Sequence, residues 1–143
     1  MQSTTTPLEL FFQTWELNMA SGNVPALVAS FAEVFLYASP HGTQSVKASD
    51  FALALPKRKQ LFESLGSQPT TLVSLNETRL DERYTMARTQ WLMTFIRNGA
   101  EAQRVLADST YIVDTAGDAF KIVFYLAHQD IKAILKQRGI LPA

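Results

Sequence analysis

Cysteine is absent from the 143 residues, which excludes disulfide staples, thiolate metal sites and a cysteine nucleophile. Histidine occurs only twice, as His41 and His128. With the two far apart and no His-x-Glu spacing, neither a metal nor a cofactor is expected. Net charge is lacking too, since 13 Lys and Arg offset 13 Asp and Glu and charged residues make up only 18% of the chain. That balance gives no broad attraction to a polyanion, so no nucleic acid partner is expected. No stretch approaches the ~20 consecutive apolar residues of a spanning helix, and a membrane role is set aside. The first residues, Met1 to Thr6, are polar, and Glu9 and Glu16 interrupt the apolar run that follows. This is unlike a secretory signal, and a cytoplasmic setting is expected. No Gly-rich phosphate loop or serine-nucleophile motif is found.

What is there is a chain with 47% hydrophobic residues, long enough to bury roughly 68% of the surface its unfolded form exposes. No repeat or linker divides it, so a single domain over residues 1–143 is expected. Thr6-Pro7-Leu8-Glu9 reads as a helix start: Thr6 caps, Pro7 suits the first helical position, and Glu9 stands three residues after the cap. Leu8, Phe11, Phe12, Trp15 and Met19 then form one apolar stripe, and Gly22 stops the helix. Asn23 caps a second short helix from Val24 to about Phe31. The alternation of Glu33 to Ser39 predicts a strand ended by Pro40-His41-Gly42. A third helix is expected from Ser49 or Asp50 to Leu65, anchored by Phe51, Leu55, Phe62 and Leu65, with Pro56 kinking it or starting a new turn and Gly66 as its stop.

After Pro69 the period changes. Four β-rich stretches are expected at about 71–82, 83–97, 104–114 and 118–128, with turns at Asn98-Gly99 and Ala116-Gly117-Asp118. A last short helix, Gln129 to Gln137, is expected to pack on the sheet edge. The sum is an α+β fold: N-terminal helices packed on a curved, mostly antiparallel sheet with one face covered.

The order of these elements, with Ala20-Ser21-Gly22-Asn23, Ser30-Phe31-Ala32-Glu33, Ser39-Pro40-His41-Gly42 and Phe120-Lys121-Ile122-Val123, resembles the nuclear-transport-factor-2-like superfamily. That superfamily's cystatin-like cone hosts ketosteroid isomerase and the SnoaL-like polyketide cyclases, beside members without catalysis. The likeness implies a cone with an apolar cavity closed by the Thr6 to Gly22 helix. It also allows the chemistry to be compared residue by residue. Where the isomerases carry an oxyanion-hole phenol on the first helix, this chain has Trp15; where they carry the general base before the proline, it has Ser39, which cannot accept a proton near neutral pH. The epoxide-hydrolase branch carries an arginine and an aspartate two apart on one strand. Here the match is Arg88-Thr89-Gln90, with Gln90 in the acid's place, and the second acid falls near Phe124. SnoaL-like members often place a histidine on the last strand, and here Phe120, Ile122, Phe124, Leu126 and His128 are read as sharing one face.

The ligand-binding candidates are therefore Trp15, Tyr37, Arg88, Gln90 and His128, offering an apolar wall and a few polar contacts. The weaker catalytic candidates are His128 and His41, either of which would act as general base, with Tyr37 or Arg88 stabilising negative charge. Glu77, Arg79, Asp81 and Arg83 alternate in sign as a cross-strand charge ladder would, and Lys57-Arg58-Lys59 reads as a solvated helix face. The favoured reading is a protein that binds a small, largely apolar molecule in the cone. The alternatives are a lyase, isomerase or cyclase using a pocket histidine, and a non-catalytic dimeric interaction module with a filled cone. Apolar residues on both faces of the 83–97 stretch lead to the expectation of a homodimer through the exposed sheet face.

Overall fold

Thr6 accepts the Glu9 N–H at 3.0 Å through its hydroxyl and starts α1 (Pro7–Ser21). Gly22 ends the helix in the left-handed conformation, φ 71°, and Asn23 caps α2 (Val24–Ala29) through its side chain. These are details of a computed structural model that describes residues 5–142. Most of the polar stretch from Met1 to Thr6, read as unlike a secretory signal, lies outside the described residues.

The chain continues through β1 (Phe31–Ser39), β2 (Gly42–Lys47), α3 (Ala48–Ser64), β3 (Thr71–Arg79), β4 (Tyr84–Phe95), β5 (Gln103–Asp114), β6 (Lys121–Ala127) and α4 (Ile131–Gln137). The six strands form one sheet in the order β2-β1-β6-β5-β4-β3. All neighbours are antiparallel except β1 and β6, which run parallel. This is the expected α+β architecture, helices on one face of a mostly antiparallel sheet.

Several boundaries move, each for a local reason. The second helix stops at Ala29 because Phe31 is already strand: it pairs with Ile122 and is buried. The strand expected to end at Pro40-His41-Gly42 turns there and returns as β2, pairing Ser39 with Gly42 through Val34 with Lys47. β2 was not foreseen because only Val46 among its residues is even half-buried, which leaves no apolar alternation to read. Pro56 does not start a new turn; α3 runs through it as one helix. The lost amide donor costs one hydrogen bond, and packing anchors on both sides, Phe51 and Leu55 before it and Phe62 after, hold the helix together. β3 ends at Arg79 and α4 begins only after Asp130, which caps it.

The buried side chains gather on the helix-covered face in two clusters. Leu8, Phe12 and Trp15 of α1 meet Phe31, Phe35, Ala87, Trp91, Tyr111, Val113 and Ile122. Phe62 and Leu65 meet Met93, Phe95 and Val105, with Leu135 of α4 seated among them on the inner face of β4 and β5 rather than on the expected edge. Two carboxylates lash α1 to the edge strand: Glu16 accepts the Leu72 N–H and Glu77 accepts the Thr6 hydroxyl, both at 2.5 Å. No helix among the described residues is long and apolar enough to cross a membrane.

Candidate functional site

Strand β4 decides which residues face the interior. Thr85, Ala87, Thr89, Trp91, Met93 and Phe95 are all buried, while Tyr84, Met86, Arg88, Gln90, Leu92 and Thr94 point the other way. The interior set packs beneath α1, with ring centroids 4.9 Å apart for Phe12 and Tyr111, 5.4 Å for Trp15 and Trp91, and 5.8 Å for Trp15 and Tyr111. The cone under α1 is thus filled by edge-on and tilted aromatic rings. Two of its buried polar side chains are satisfied in a chain: the Trp91 indole donates to the Thr89 hydroxyl at 2.8 Å, and that hydroxyl donates to the Ser109 carbonyl at 3.2 Å. Tyr37, Tyr125 and Tyr111 stand side by side across β1, β6 and β5, with centroids 5.3 and 4.8 Å apart. Burial raises the Tyr37 hydroxyl above the ordinary phenol range and pushes the fully enclosed Tyr111 well above it.

The open space lies beside this core. A cleft of about 400 Å³ runs between α1, the residue joining α2 to β1, and the turn before β6, lined by Leu10, Phe11, Thr14, Trp15, Ser30 and Phe120 with Pro7 and Asp118. It is a shallow cleft, wide open to solvent, with a volume at the lower end of the ~300–1,000 Å³ of small-molecule sites. Its walls are mostly apolar, and Phe11 and Phe120 face each other there at 5.9 Å. Trp15 is 6% exposed, and its Nε1–H is sealed from solvent with no acceptor among the described residues. Such an orphaned donor is uncommon in a folded interior.

The candidates from the sequence separate into three places. Trp15 belongs to the cleft wall. Tyr37 lines a smaller hollow of about 150 Å³ together with Ser39, His41 and Thr43. The His41 ring is exposed, its Nε2 2.5 Å from Asp130 Oδ2. Asp130 also accepts the Ala133 N–H as the cap of α4, and these two hydrogen bonds hold its carboxyl below the usual carboxylate range. Arg88, Gln90 and His128 lie on the outer face of the sheet, away from Trp15. Arg88 is exposed, Gln90 donates to Asp108 at 3.2 Å, and the exposed His128 pairs through Nε2 with the Thr110 hydroxyl at 2.7 Å.

The expectation of one pocket shared by Trp15, Tyr37, Arg88, Gln90 and His128 does not match these positions. On β4 the reason is packing: Thr89 and Trp91 take the interior parity, which puts Arg88 and Gln90 outside. On β6 the reason is a bulge, where Val113 pairs with Ile122 but Ile112 pairs with Phe124. The extra residue, Val123, splits the supposed common face, leaving Ile122 inside and turning Phe124, Leu126 and His128 outward. Neither imidazole reaches the cleft. The charge ladder also resolves differently, because Asp81 and Arg83 belong to the turn joining β3 and β4. Asp81 accepts the Arg83 and Tyr84 amides, and Arg83 grips Asp114 at 2.9 to 3.1 Å. Both carboxyls are held low in consequence, Asp81 by the two amides and Asp114 by the Arg83 guanidinium.

Sequence reasoning missed Leu10, Thr14, Ser30, Asp118 and Phe120 as cleft residues. Phe11 was on the α1 stripe, but its half-buried position beside Phe120 depends on how β6 approaches α1. Among the described residues no group of three or more His, Asp or Glu is arranged to hold a metal ion.

No protein-family model matches the sequence, and none of the curated proteins matches it. Solved structures do. A nuclear-transport-factor-2-like protein of unknown function from Shewanella oneidensis is similar with a TM-score of 0.69 at 14% identity, over 85% of this chain and 96% of that one. A nuclear-transport-factor-2-like protein with a cystatin-like fold from Novosphingobium aromaticivorans gives 0.69 at 15% identity, over 92% and 84%. The beta subunit of the benzoate 1,2-dioxygenase from Burkholderia mallei gives 0.68 at 13% identity, over 93% and 96%. Likeness at such identities speaks for the backbone and not for the chemistry. The chain has the cystatin-like cone fold of the nuclear-transport-factor-2-like proteins.

Proposed function

We propose that this protein binds a small, largely apolar molecule, and that the site is the cleft beside α1 rather than the centre of the cone. The observation that carries the reading is about 400 Å³ of mostly apolar space walled by Leu10, Phe11, Trp15 and Phe120. The reading is non-catalytic: the interior acids and bases of the related enzymes are replaced, and both histidines stand outside the cleft. Substituting Thr14→Arg, at an exposed position of α1 that lines the cleft, fills the space without touching the core. Calorimetric titration with 2-naphthylmethanol should show saturable binding to the native chain and none to the variant. Equal binding to both would overturn the assignment of the site.

A second reading concerns assembly. The outer sheet face displays Val34, Leu36 and Leu106, each at least 41% exposed, around the half-buried Leu92, Ile112, Phe124 and Leu126. Contiguous apolar surface of this kind favours a partner. A second copy of the chain is the partner proposed, because Arg88 and Asp108 lie on the same face and a two-fold axis can bring each to its opposite.

A further inference from the structure

We propose that the turn joining β4 and β5 is a site of spontaneous covalent modification, where Asn98 converts through a cyclic imide to isoaspartate and aspartate while the fold protects the other asparagines. The chain carries Asn18, Asn23, Asn76 and Asn98, and of these Asn98 alone is followed by glycine. In this reaction the Gly99 backbone nitrogen attacks Cγ of the Asn98 carboxamide. A C–N bond forms, the Cγ–Nδ2 bond breaks, and ammonia leaves carrying the proton of the Gly99 amide. Water then opens the five-membered imide at either carbonyl, and no oxidant or reductant is needed. The attack requires a nitrogen that is free of other bonds, unshielded by a following side chain and able to swing onto Cγ. The Gly99 N–H makes no backbone hydrogen bond among the described residues, and glycine has no Cβ to block the approach. Its φ of 75°, together with the 2.7 Å bond from the Ala100 N–H to the Arg97 carbonyl, describes a type II turn. Residues 96–101 are all exposed, so no buried side chain holds this turn against the rotation the attack needs. The other three asparagines sit in fixed backbone. Asn18 lies inside α1, and Asn76 lies inside β3 opposite Arg88. Asn23 is occupied as a cap, its Oδ1 accepting the Ala26 N–H at 3.2 Å while the Val24 N–H donates to the Gly22 carbonyl. Met19, Val24 and Glu77 follow these three and place a side chain beside the attacking nitrogen.

The test is to age the folded protein in mildly alkaline buffer and follow all four asparagines by mass spectrometry of tryptic peptides. Cleavage after Arg97 and Arg104 isolates Asn98 in the peptide 98–104. That peptide should gain one dalton at least about tenfold faster than any peptide holding Asn18, Asn23 or Asn76. Its product should separate into isoaspartate and aspartate forms, the mark of an imide opened at both carbonyls. Each event adds one negative charge to a chain whose acidic and basic side chains otherwise balance, so an acidic band should grow in isoelectric focusing. Asn98→Ser, a change at an exposed turn position, should abolish that band. Equal reaction at another asparagine, a product with aspartate and no isoaspartate, or an acidic band that survives Asn98→Ser would overturn the proposal. So would a folded chain that stays unreactive at Asn98 while the urea-unfolded chain reacts there, because the turn would then be a protected one.

Discussion

At the scale of single residues, the interior is decided by a few polar groups among many aromatic rings. Thr89 accepts a hydrogen bond from the Trp91 indole N–H and donates one from its hydroxyl to the Ser109 carbonyl, so one hydroxyl satisfies two neighbours. Thr89→Val keeps the shape and strands both partners. It should destabilise the fold by about 1–3 kcal/mol in urea unfolding, and a loss below a few tenths would deny the chain its structural role. The surface carboxylates set the acid limit. Asp81, Asp114 and Asp130 titrate below their ordinary value in the folded protein, chiefly through the Tyr84 amide, the Arg83 guanidinium and the Ala133 amide respectively. A lowered folded value means stability fully present above the unfolded carboxylate pKa and lost as the pH falls through and below about 4. Asp114→Asn should therefore flatten the decline of stability between about pH 5 and pH 2. An unchanged slope would show that the Arg83 pair contributes nothing. The residue types at these positions are legible in the sequence, but their partners are not. Nothing local to Arg83 indicates Asp114 thirty-one positions later, and Asp130 announces itself as a helix cap without announcing His41.

At the scale of elements, local chemistry fixed the start and end of α1 and the start of α2, α3 began at Ala48 without a side-chain cap, and tertiary packing fixed the strand faces. Thr6, Gly22, Asn23 and Gly66 act where their side chains or lack of them led one to expect. Gly66 shows the strength of this rule: it sits at φ 86°, and a Cβ there would lie 2.0 Å from the Ile96 carbonyl oxygen at the end of β4. Its own carbonyl accepts the Ile96 N–H at 2.9 Å, joining the end of α3 to the sheet. Gly66→Ala should cost at least about 2 kcal/mol by combining a left-handed backbone with a backbone collision. A thermal melt matching the native protein would contradict that geometry. The strands were harder to read. Both faces of β4 are partly apolar, so alternation alone permits either to be interior, and a one-residue choice exchanges the whole list. The bulge at Val123 did the same to β6, where His128 was grouped with Ile122 and ends on the opposite face. β2 carried no pattern, since Gly42 to Ser45 are all exposed and only pairing to β1 makes them a strand.

At the scale of the whole molecule, fold and site part company. The periods that survive in most elements indicated the α+β order, and the resemblance of that order and its local motifs to the nuclear-transport-factor-2-like superfamily implied the cone. The cleft did not, since it is made where α1, Ser30 and the turn before β6 come together, three places with no common motif. The outer face belongs to this scale as well. Leu106→Glu places a charge amid the apolar surface without entering the core, and analytical ultracentrifugation should convert a native dimer to a monomer. A native protein already monomeric at micromolar concentration would contradict the proposed assembly. The cleft itself is tested most directly by two-dimensional NMR of the indole N–H signals during titration with 2-naphthylmethanol. Only Trp15 and Trp91 give such signals, and Trp91 is already bonded to Thr89. The account predicts that the Trp15 signal moves as the ligand packs on its ring in the cleft wall, together with the amides of Phe11, Thr14 and Ser30, while the Trp91 signal stays in place. Binding that leaves Trp15 unmoved and shifts the amides of Leu36, Leu106 and Leu126 instead would contradict it.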